Sequence, residues 1–176
     1  MKNFGFHKRL FLVVIVVLPM WWLLFTDDGR SRSDTVILWL AGGETIGINF
    51  KELNNSYSIE DWQKVYPDMD WQCENKNNGF GDQYCYSEIA SYNGIPANYV
   101  TVFFRQGQVS ALKLVYRNQY HQRMGEDLHQ QLGTPLLRQD QQEQHDMLQW
   151  NTDHGVVMIK QQIQPEEQAS LIWLAQ

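Results

Sequence analysis

The chain has 176 residues, of which 43% are hydrophobic, yet its mean hydropathy of -0.46 is mildly polar. That contrast indicates one concentrated apolar segment attached to a water-soluble domain of ordinary size. The 13% of aromatic residues excludes a globally disordered chain. The 18 acidic residues against 9 basic ones from Asp34 onward argue against binding to nucleic acid or to anionic lipid.

The apolar segment lies near the N-terminus. Residues 10–25 read LFLVVIVVLPMWWLLF and carry no charge. A helix of this length covers about 24 Å, and flanking residues can extend it toward the roughly 30 Å of a hydrocarbon core. We therefore predict an uncleaved transmembrane signal-anchor over 10–26. The alternatives are a cleaved signal peptide, although no small residues precede Thr26, and a soluble core helix.

Charges around this segment predict its orientation. Lys2, Lys8 and Arg9 precede it, and Asp27 and Asp28 follow it at once. The positive-inside rule then places residues 1–9 in the cytosol. The prediction is a single-pass protein of the bacterial inner membrane with a periplasmic C-terminal domain.

Residues 27–35 are polar and without periodicity, which predicts a short tether before an exported domain over 36–176. TVILWLA at 35–41 is too short to cross a membrane and fits a buried strand. TIGINF at 45–50 follows the turn at Gly42 and Gly43 and is predicted to pair back on it.

The first helix signal begins at Ser58. Ser58 and Asp61 resemble a capping box, and Pro67 stops a helix predicted over Ile59–Tyr66.

The two cysteines, Cys73 and Cys85, predict a structural disulfide, because an even count in an exported domain favours one. The spacing does not fit a redox-active C-x-x-C pair, and no second pair of ligands accompanies it for zinc.

The rest of the chain alternates strands and one more helix. A helix is predicted near 119–132, where Tyr120, Met124, Leu128 and Leu132 repeat every four residues before Gly133. Polar QDQQEQH at 139–145 indicates a loop. The predicted strands are Trp71–Cys73, Tyr84–Ser91, Tyr99–Arg105, Val109–Tyr116, Met147–Trp150, Val156–Gln161 and Ser170–Leu174.

These elements predict an α+β fold: a single N-terminal transmembrane helix followed by an antiparallel sheet with two helices. Because a helix followed by strands occurs twice, from Ser58 and from Gln119, the domain is also a candidate for a degenerate tandem repeat.

One segment resembles a known group of proteins. DLHQQLGTP at 127–135, followed by LQW at 148–150, is similar to the helix–hairpin units of small envelope proteins. These are the small lipoprotein of the outer-membrane β-barrel assembly machine (BamE) and the secreted β-lactamase inhibitor proteins. Leu132, Gly133 and Pro135 match the helix end and Trp150 matches the hairpin, over about residues 127–160. The resemblance implies a protein-binding scaffold without catalysis.

Candidate catalytic and metal-binding residues are weak. His121 and His129 are eight residues apart on one predicted helix, too far for a common metal, and His145 and His154 fall in loops or turns. The acidic stretch from Asp68 to Asp82 does not fit an EF-hand, although a looser cation site stays open. Nucleophile, phosphate-loop and dinucleotide motifs do not occur. The sequence therefore predicts no catalytic residue, no metal and no cofactor.

The aromatic residues of the first half are the better candidates. They outnumber what one small sheet face hides, so a partly exposed patch is expected, the alternative being that all belong to the core. The candidate interaction surface consists of Phe80, Tyr84, Tyr86 and Trp71. Phe80, at the tip of the disulfide loop, is expected to be the most exposed.

Three functions follow. The first is a non-catalytic accessory or protein-interaction module, held at the membrane by 10–26, whose partner is another envelope protein. The second is an inhibitor or immunity protein against a basic toxin or enzyme, because the domain is acidic. The third is a hydrolase or small-ligand binder with a dispersed site. The sequence does not define the oligomeric state.

Overall fold

The computed structural model describes residues 43–139 and 146–176, together with Val17. Within these ranges the chain forms ten strands, two α-helices and one short 3-10 helix, Asn118–Tyr120. The helices are α1 (Ile59–Val65) and α2 (His121–Leu132). The strands are β1 (Thr45–Ile46), β2 (Gln72–Asn75), β3 (Gln83–Glu88), β4 (Ser91–Tyr92), β5 (Ile95–Arg105), β6 (Gln108–Tyr116), β7 (Leu136–Gln139), β8 (Asp146–Thr152), β9 (Gly155–Lys160) and β10 (Ser170–Ala175).

All ten strands belong to one mixed sheet. Its main path is antiparallel and follows the order β2-β3-β5-β6-β10-β9-β8-β7, so two four-stranded meanders meet where β6 pairs with β10. β4 pairs with the start of β5, and β1 pairs in parallel with β4. We call the strands β2, β3, β5 and β6 with α1 the first half, and β7 to β10 with α2 the second half.

One face of the sheet carries the core, because side chains alternate between the two faces of a strand. Both helices and the segment 46–53 pack on this face, which we call the helix face. The buried side chains of the helices are Trp62 from α1 and Met124 and Leu128 from α2. A row of buried cross-strand neighbours runs across it: Cys85, Val102, Leu112, Trp173, Val157 and Trp150.

Several local predictions are confirmed. Ser58 and Asp61 form a capping box with both reciprocal hydrogen bonds, and α1 ends at Val65, with Tyr66 as its C-cap before Pro67. α2 ends at Gly133, whose φ of 88° is a conformation that glycine adopts without strain. The Cys73–Cys85 disulfide is present and joins directly opposed residues of β2 and β3, with Cα atoms 4.0 Å apart.

Other boundaries differ. TIGINF contributes only the two residues of β1, because the chain leaves the sheet after Ile46 to cover the core with Ile48, Phe50 and Leu53. β5 begins at Ile95 rather than Tyr99, directly after the turn at Asn93 and Gly94. The short strands β4 and β7 were not predicted, since two or four residues are too few to show alternation.

The predicted α+β class is wrong in its balance. The described chain is dominated by a ten-stranded mixed sheet, whereas its two α-helices have only 7 and 12 residues. The parallel pair of β1 and β4 also departs from the predicted antiparallel sheet.

The predicted membrane anchor needs correction as well. Among the described residues no helix is long and apolar enough to cross a membrane, since α2, the longer, extends only about 18 Å. The transmembrane helix, the membrane as a partner and the inner-membrane location consequently find no support in the structure. Apart from Val17, the segment 10–26 lies outside the described residues, as do the strand predicted at 35–41 and most of the loop at 139–145.

Candidate interaction surface

The face of the sheet opposite the helices is not covered by any helix of the described chain. We call it the open face. The register gives two parallel rows across its centre. One row runs through Tyr84, Phe103, Ala111, Leu174 and Val156, and the next through Tyr86, Thr101, Lys113, Ile172 and Met158. Tyr84, Tyr86 and Phe103 are half-buried, as expected for large side chains on a sheet face without a second layer.

Aromatic rings cluster at the end of the open face in the first half. The Phe103 ring centroid lies 5.0 Å from that of Phe80 and 6.2 Å from that of Tyr84, and the Tyr84 and Tyr86 centroids are 6.5 Å apart. Tilted rings at these separations attract one another beyond the area they bury. We call Phe80, Tyr84, Tyr86 and Phe103 the aromatic patch.

Residues of β2 hold the two tyrosines of this patch. The Tyr84 hydroxyl donates to Glu74 Oε2 at 2.5 Å, and the Tyr86 hydroxyl donates to Gln72 Oε1 at 2.5 Å. The hydrogen bond to the Glu74 carboxylate raises the pKa of Tyr84 above its ordinary value. Because both phenols are fixed from the same strand, the patch is ordered before any partner arrives, which lowers the entropic cost of binding.

The loop between β2 and β3 brings Phe80 onto the sheet. The Asn78 side-chain oxygen accepts from the backbone N–H groups of Phe80 and Gly81 and so shapes the turn. The Ser110 hydroxyl donates to the Phe80 carbonyl at 2.7 Å, and Arg105 donates to the same carbonyl at 3.3 Å. Phe80 is therefore half-buried against Phe103.

Trp71 is the member of the predicted surface that lies elsewhere. Its ring is 6.0 Å from Trp62 in an edge-to-face arrangement, and its indole N–H donates to the Tyr66 carbonyl at the end of α1. It packs against the helix-face core. Phe103 was not part of the surface predicted from the sequence. The strand register that places it beside Tyr84 joins residues far apart along the chain.

The histidines that the structure describes do not converge. The Tyr116 hydroxyl and His121 Nδ1 are 2.8 Å apart, and His121 Nε2 lies 3.4 Å from the Gln161 carbonyl. Burial lowers the pKa of His121 below its ordinary value. His129 and His154 are exposed, and His145 lies outside the described residues. In the described ranges no group of three His, Cys, Asp or Glu side chains is placed to hold a metal ion.

The oxygen-rich stretch between Asp68 and Asp82 is used for local structure. Glu74 accepts from Tyr84, Asn78 forms the turn before Phe80, and Asp82 accepts from the backbone N–H of Gln106 at 3.1 Å. These ligand atoms point to different neighbours rather than to one common centre.

A cleft opens on the helix face of the second half. Its volume is about 480 Å³, and it lies between α2 and the strands β8 and β9. Leu148, Trp150 and Ile159 line it from the strands, and His121, Gly125 and His129 line it from α2. This size is within the range of small-ligand pockets, but its histidines are separated along the helix.

The residues that carry the envelope-protein resemblance form one structural unit. The Trp150 indole N–H donates to the Gly133 carbonyl at 2.8 Å, so the hairpin tryptophan satisfies a carbonyl at the end of α2. Leu132 packs against the core, and Pro135 follows directly before β7.

Comparison with known proteins shows no family for this chain. The sequence matches no model of a known protein family, and no curated protein matches it. Among solved structures the chain is similar to a DUF4309 family protein (YjgB) from Bacillus subtilis, with 13% sequence identity and a TM-score of 0.34. The match covers 83% of this chain and 95% of that one.

Proposed function

We propose that this protein is a non-catalytic protein-interaction module that binds another protein through the open face of its sheet. The observation that carries the proposal is the aromatic patch, which lies on the one large face that no described helix covers. Tyrosine, phenylalanine and methionine are enriched in protein interfaces, and contiguous apolar surface of this kind marks binding sites. The disulfide supports a working place in an oxidising compartment.

The open face is suited to a protein rather than to a small molecule. Its rows combine half-exposed side chains, such as Phe103, Ile172 and Leu174, with the smaller buried side chains of Thr101, Ala111 and Val156. A broad face of ordered rings gives a partner large contact area at low entropic cost, because each ring has only two side-chain torsions.

The test is co-purification of the native partner with tagged full-length protein, comparing the wild type with the double variant Phe103→Ala, Tyr86→Ala. We expect the variant to remain folded and to lose the partner. Val65→Ser is the matched control, because Val65 is a 50% exposed apolar residue on α1, on the other side of the sheet. Retention of the partner by a folded double variant, with loss in the control, would contradict the proposal.

A second candidate, an inhibitor of a basic toxin or enzyme, is favoured by the excess of acidic over basic residues. Opposite charge accelerates association, and that contribution weakens with salt. A basic partner whose association rate falls steeply between low and high salt would support the inhibitor function. An association rate that does not depend on salt would argue against it.

A small-ligand function is favoured only by the cleft beside α2. Gly125→Leu would fill it, since a Cβ at Gly125 lies 3.8 Å from the Ile159 side chain. Loss of a measured ligand in this variant, with the aromatic patch intact, would support that function in place of the first.

A further inference from the structure

Lys113 stands near the middle of the open face. It lies in β6, the strand that joins the two halves, with Thr101 opposite on β5 and Ile172 opposite on β10. Along β6 the neighbours on the same face are Ala111 and Val115, both buried. The ammonium group is thus placed among neutral side chains.

The side chain of this lysine makes no ion pair or hydrogen bond with any residue that the structure describes. Lys160 on the same face, in contrast, pairs with Glu167 at 3.2 Å. Two acids lie on the open face of the first half. Glu88 is on β3, two strands from β6 and so about 10 Å away across the sheet. Glu74 is on β2, three strands from β6, and it already accepts from Tyr84.

A partner that covers the open face must also cover Lys113. Burying an unpaired ammonium is strongly unfavourable, whereas a carboxylate opposite it restores the lost hydration with a charge-assisted hydrogen bond. β6 is the fourth strand from one edge of the main path and the fifth from the other, so the side chain is too short to reach solvent beyond either edge.

We propose that the partner is a protein that presents a carboxylate, surrounded by apolar side chains, to Lys113, with its apolar residues seated on the aromatic patch. The inference rests on the proposed function and specifies its partner. The net negative charge of the chain affects the association rate of a partner at long range. The contact with Lys113 at the centre of the open face, in contrast, favours a partner with a carboxylate at that point.

The test uses a phage-displayed library of random linear peptides selected on the full-length protein. Peptides that also bind the Phe103→Ala, Tyr86→Ala variant are removed, so that only ligands of the open face remain. Affinities of the selected peptides are then measured on the wild type, on Lys113→Met, on Lys113→Glu, and on Lys51→Glu. The last is the control, because Lys51 is exposed outside the sheet and its replacement changes the net charge by the same amount as Lys113→Glu.

We expect selected peptides to contain Asp or Glu, to bind Lys113→Met at least roughly tenfold more weakly, Lys113→Glu more weakly still, and Lys51→Glu unchanged. Replacing the peptide's acid by its amide should cost affinity on the wild type but not on Lys113→Met, because the pair is then already broken.

Open-face peptides without an acid, or with equal affinity for Lys113→Met, would overturn the carboxylate inference and leave the proposed function standing. A library that yields no peptide dependent on Phe103 and Tyr86 would count against both.

Discussion

The edge strands of the two halves of the sheet are held in different ways. In the first half the outer strands β2 and β3 are joined covalently by Cys73–Cys85, and the open-face side chains of β2 hold Tyr84 and Tyr86. In the second half the outer strand β7 has no such link, and its Leu136 and Leu137 are each 58% exposed. The half with the aromatic patch is therefore the one whose edge is reinforced, which agrees with a rigid binding surface there.

The two halves share a hydrogen bond from a tryptophan indole to a carbonyl at the end of their helix. The Trp71 indole donates to the Tyr66 carbonyl at the end of α1, and the Trp150 indole donates to the Gly133 carbonyl at the end of α2. Trp150 is buried in the sheet, whereas Trp71 is half-buried beside it. The same bond should therefore contribute more to stability in the second half.

Trp150→Ala tests this difference and should have the largest effect. We expect a loss of about 4 kcal/mol in the free energy of unfolding, because a cavity forms and the Gly133 carbonyl loses its donor. Trp71→Ala should cost less, since less surface is buried. Urea unfolding followed by circular dichroism measures both. A larger loss for Trp71→Ala would reverse the comparison.

Reduction of the disulfide should lower the overall stability and loosen the outer edge of the first half. The bond closes a loop between cysteines 12 positions apart, which corresponds to about 3 kcal/mol in the chain-entropy account. With a phosphine reductant we expect a lower guanidinium midpoint and faster amide hydrogen exchange in β2. Exchange in β7, which has no covalent link to its neighbour, serves as the internal control and should not change. Equal acceleration in both strands would show that the edges are not independent.

Two glycines of the second half should respond in opposite directions to alanine. Gly125→Ala should stabilise the protein by about 0.5–1 kcal/mol, because it removes a flexible residue from α2 and its Cβ meets only the Ile159 side chain at 3.8 Å. Gly155→Ala should destabilise it, because the Cβ would lie 2.4 Å from the Leu174 carbonyl oxygen. Thermal unfolding of both variants checks the signs, and a stabilising Gly155→Ala would contradict the packing of β9 on β10.

The smallest expected effect is a pH dependence from His121. Burial lowers its pKa in the folded state, so the unfolded chain takes up a proton first as the pH falls. His121 therefore does not change the free energy of unfolding well above the ordinary histidine pKa of about 6.5, and it lowers that free energy as the pH falls through this value. His121→Gln should flatten this slope, and His129→Gln, exposed on the same helix, should not. Unfolding midpoints between neutral and mildly acidic pH measure the slopes.

The sequence predicted the features that local chemistry determines. The capping box at Ser58, the glycine end of α2 and the disulfide all depend on residues close along the chain or on cysteine count. The dominance of the sheet was missed, because β4 and β7 are held by pairing with β5 and β8 and have no pattern of their own.

The interaction surface was predicted only in part, because strand pairing as well as local sequence determines which side chains share a face. Tyr84 and Tyr86 alternate along one strand, so their common face follows from the sequence. Phe103 joins them only through the register of β3 with β5, and Trp71 leaves them because it turns toward α1. Lys113 could not be singled out, since its position near the middle of the open face depends on the pairing of β6 with β10.

The most direct test of the account is site-specific photo-crosslinking in the native host, with benzoylphenylalanine placed at Tyr86 on the open face or at Val65 on the helix side. We predict that Tyr86 forms an adduct of defined mass with one protein, that Phe103→Ala abolishes it, and that Val65 forms none. An adduct from Val65 with none from Tyr86 would place the binding surface on the helix side and contradict the account.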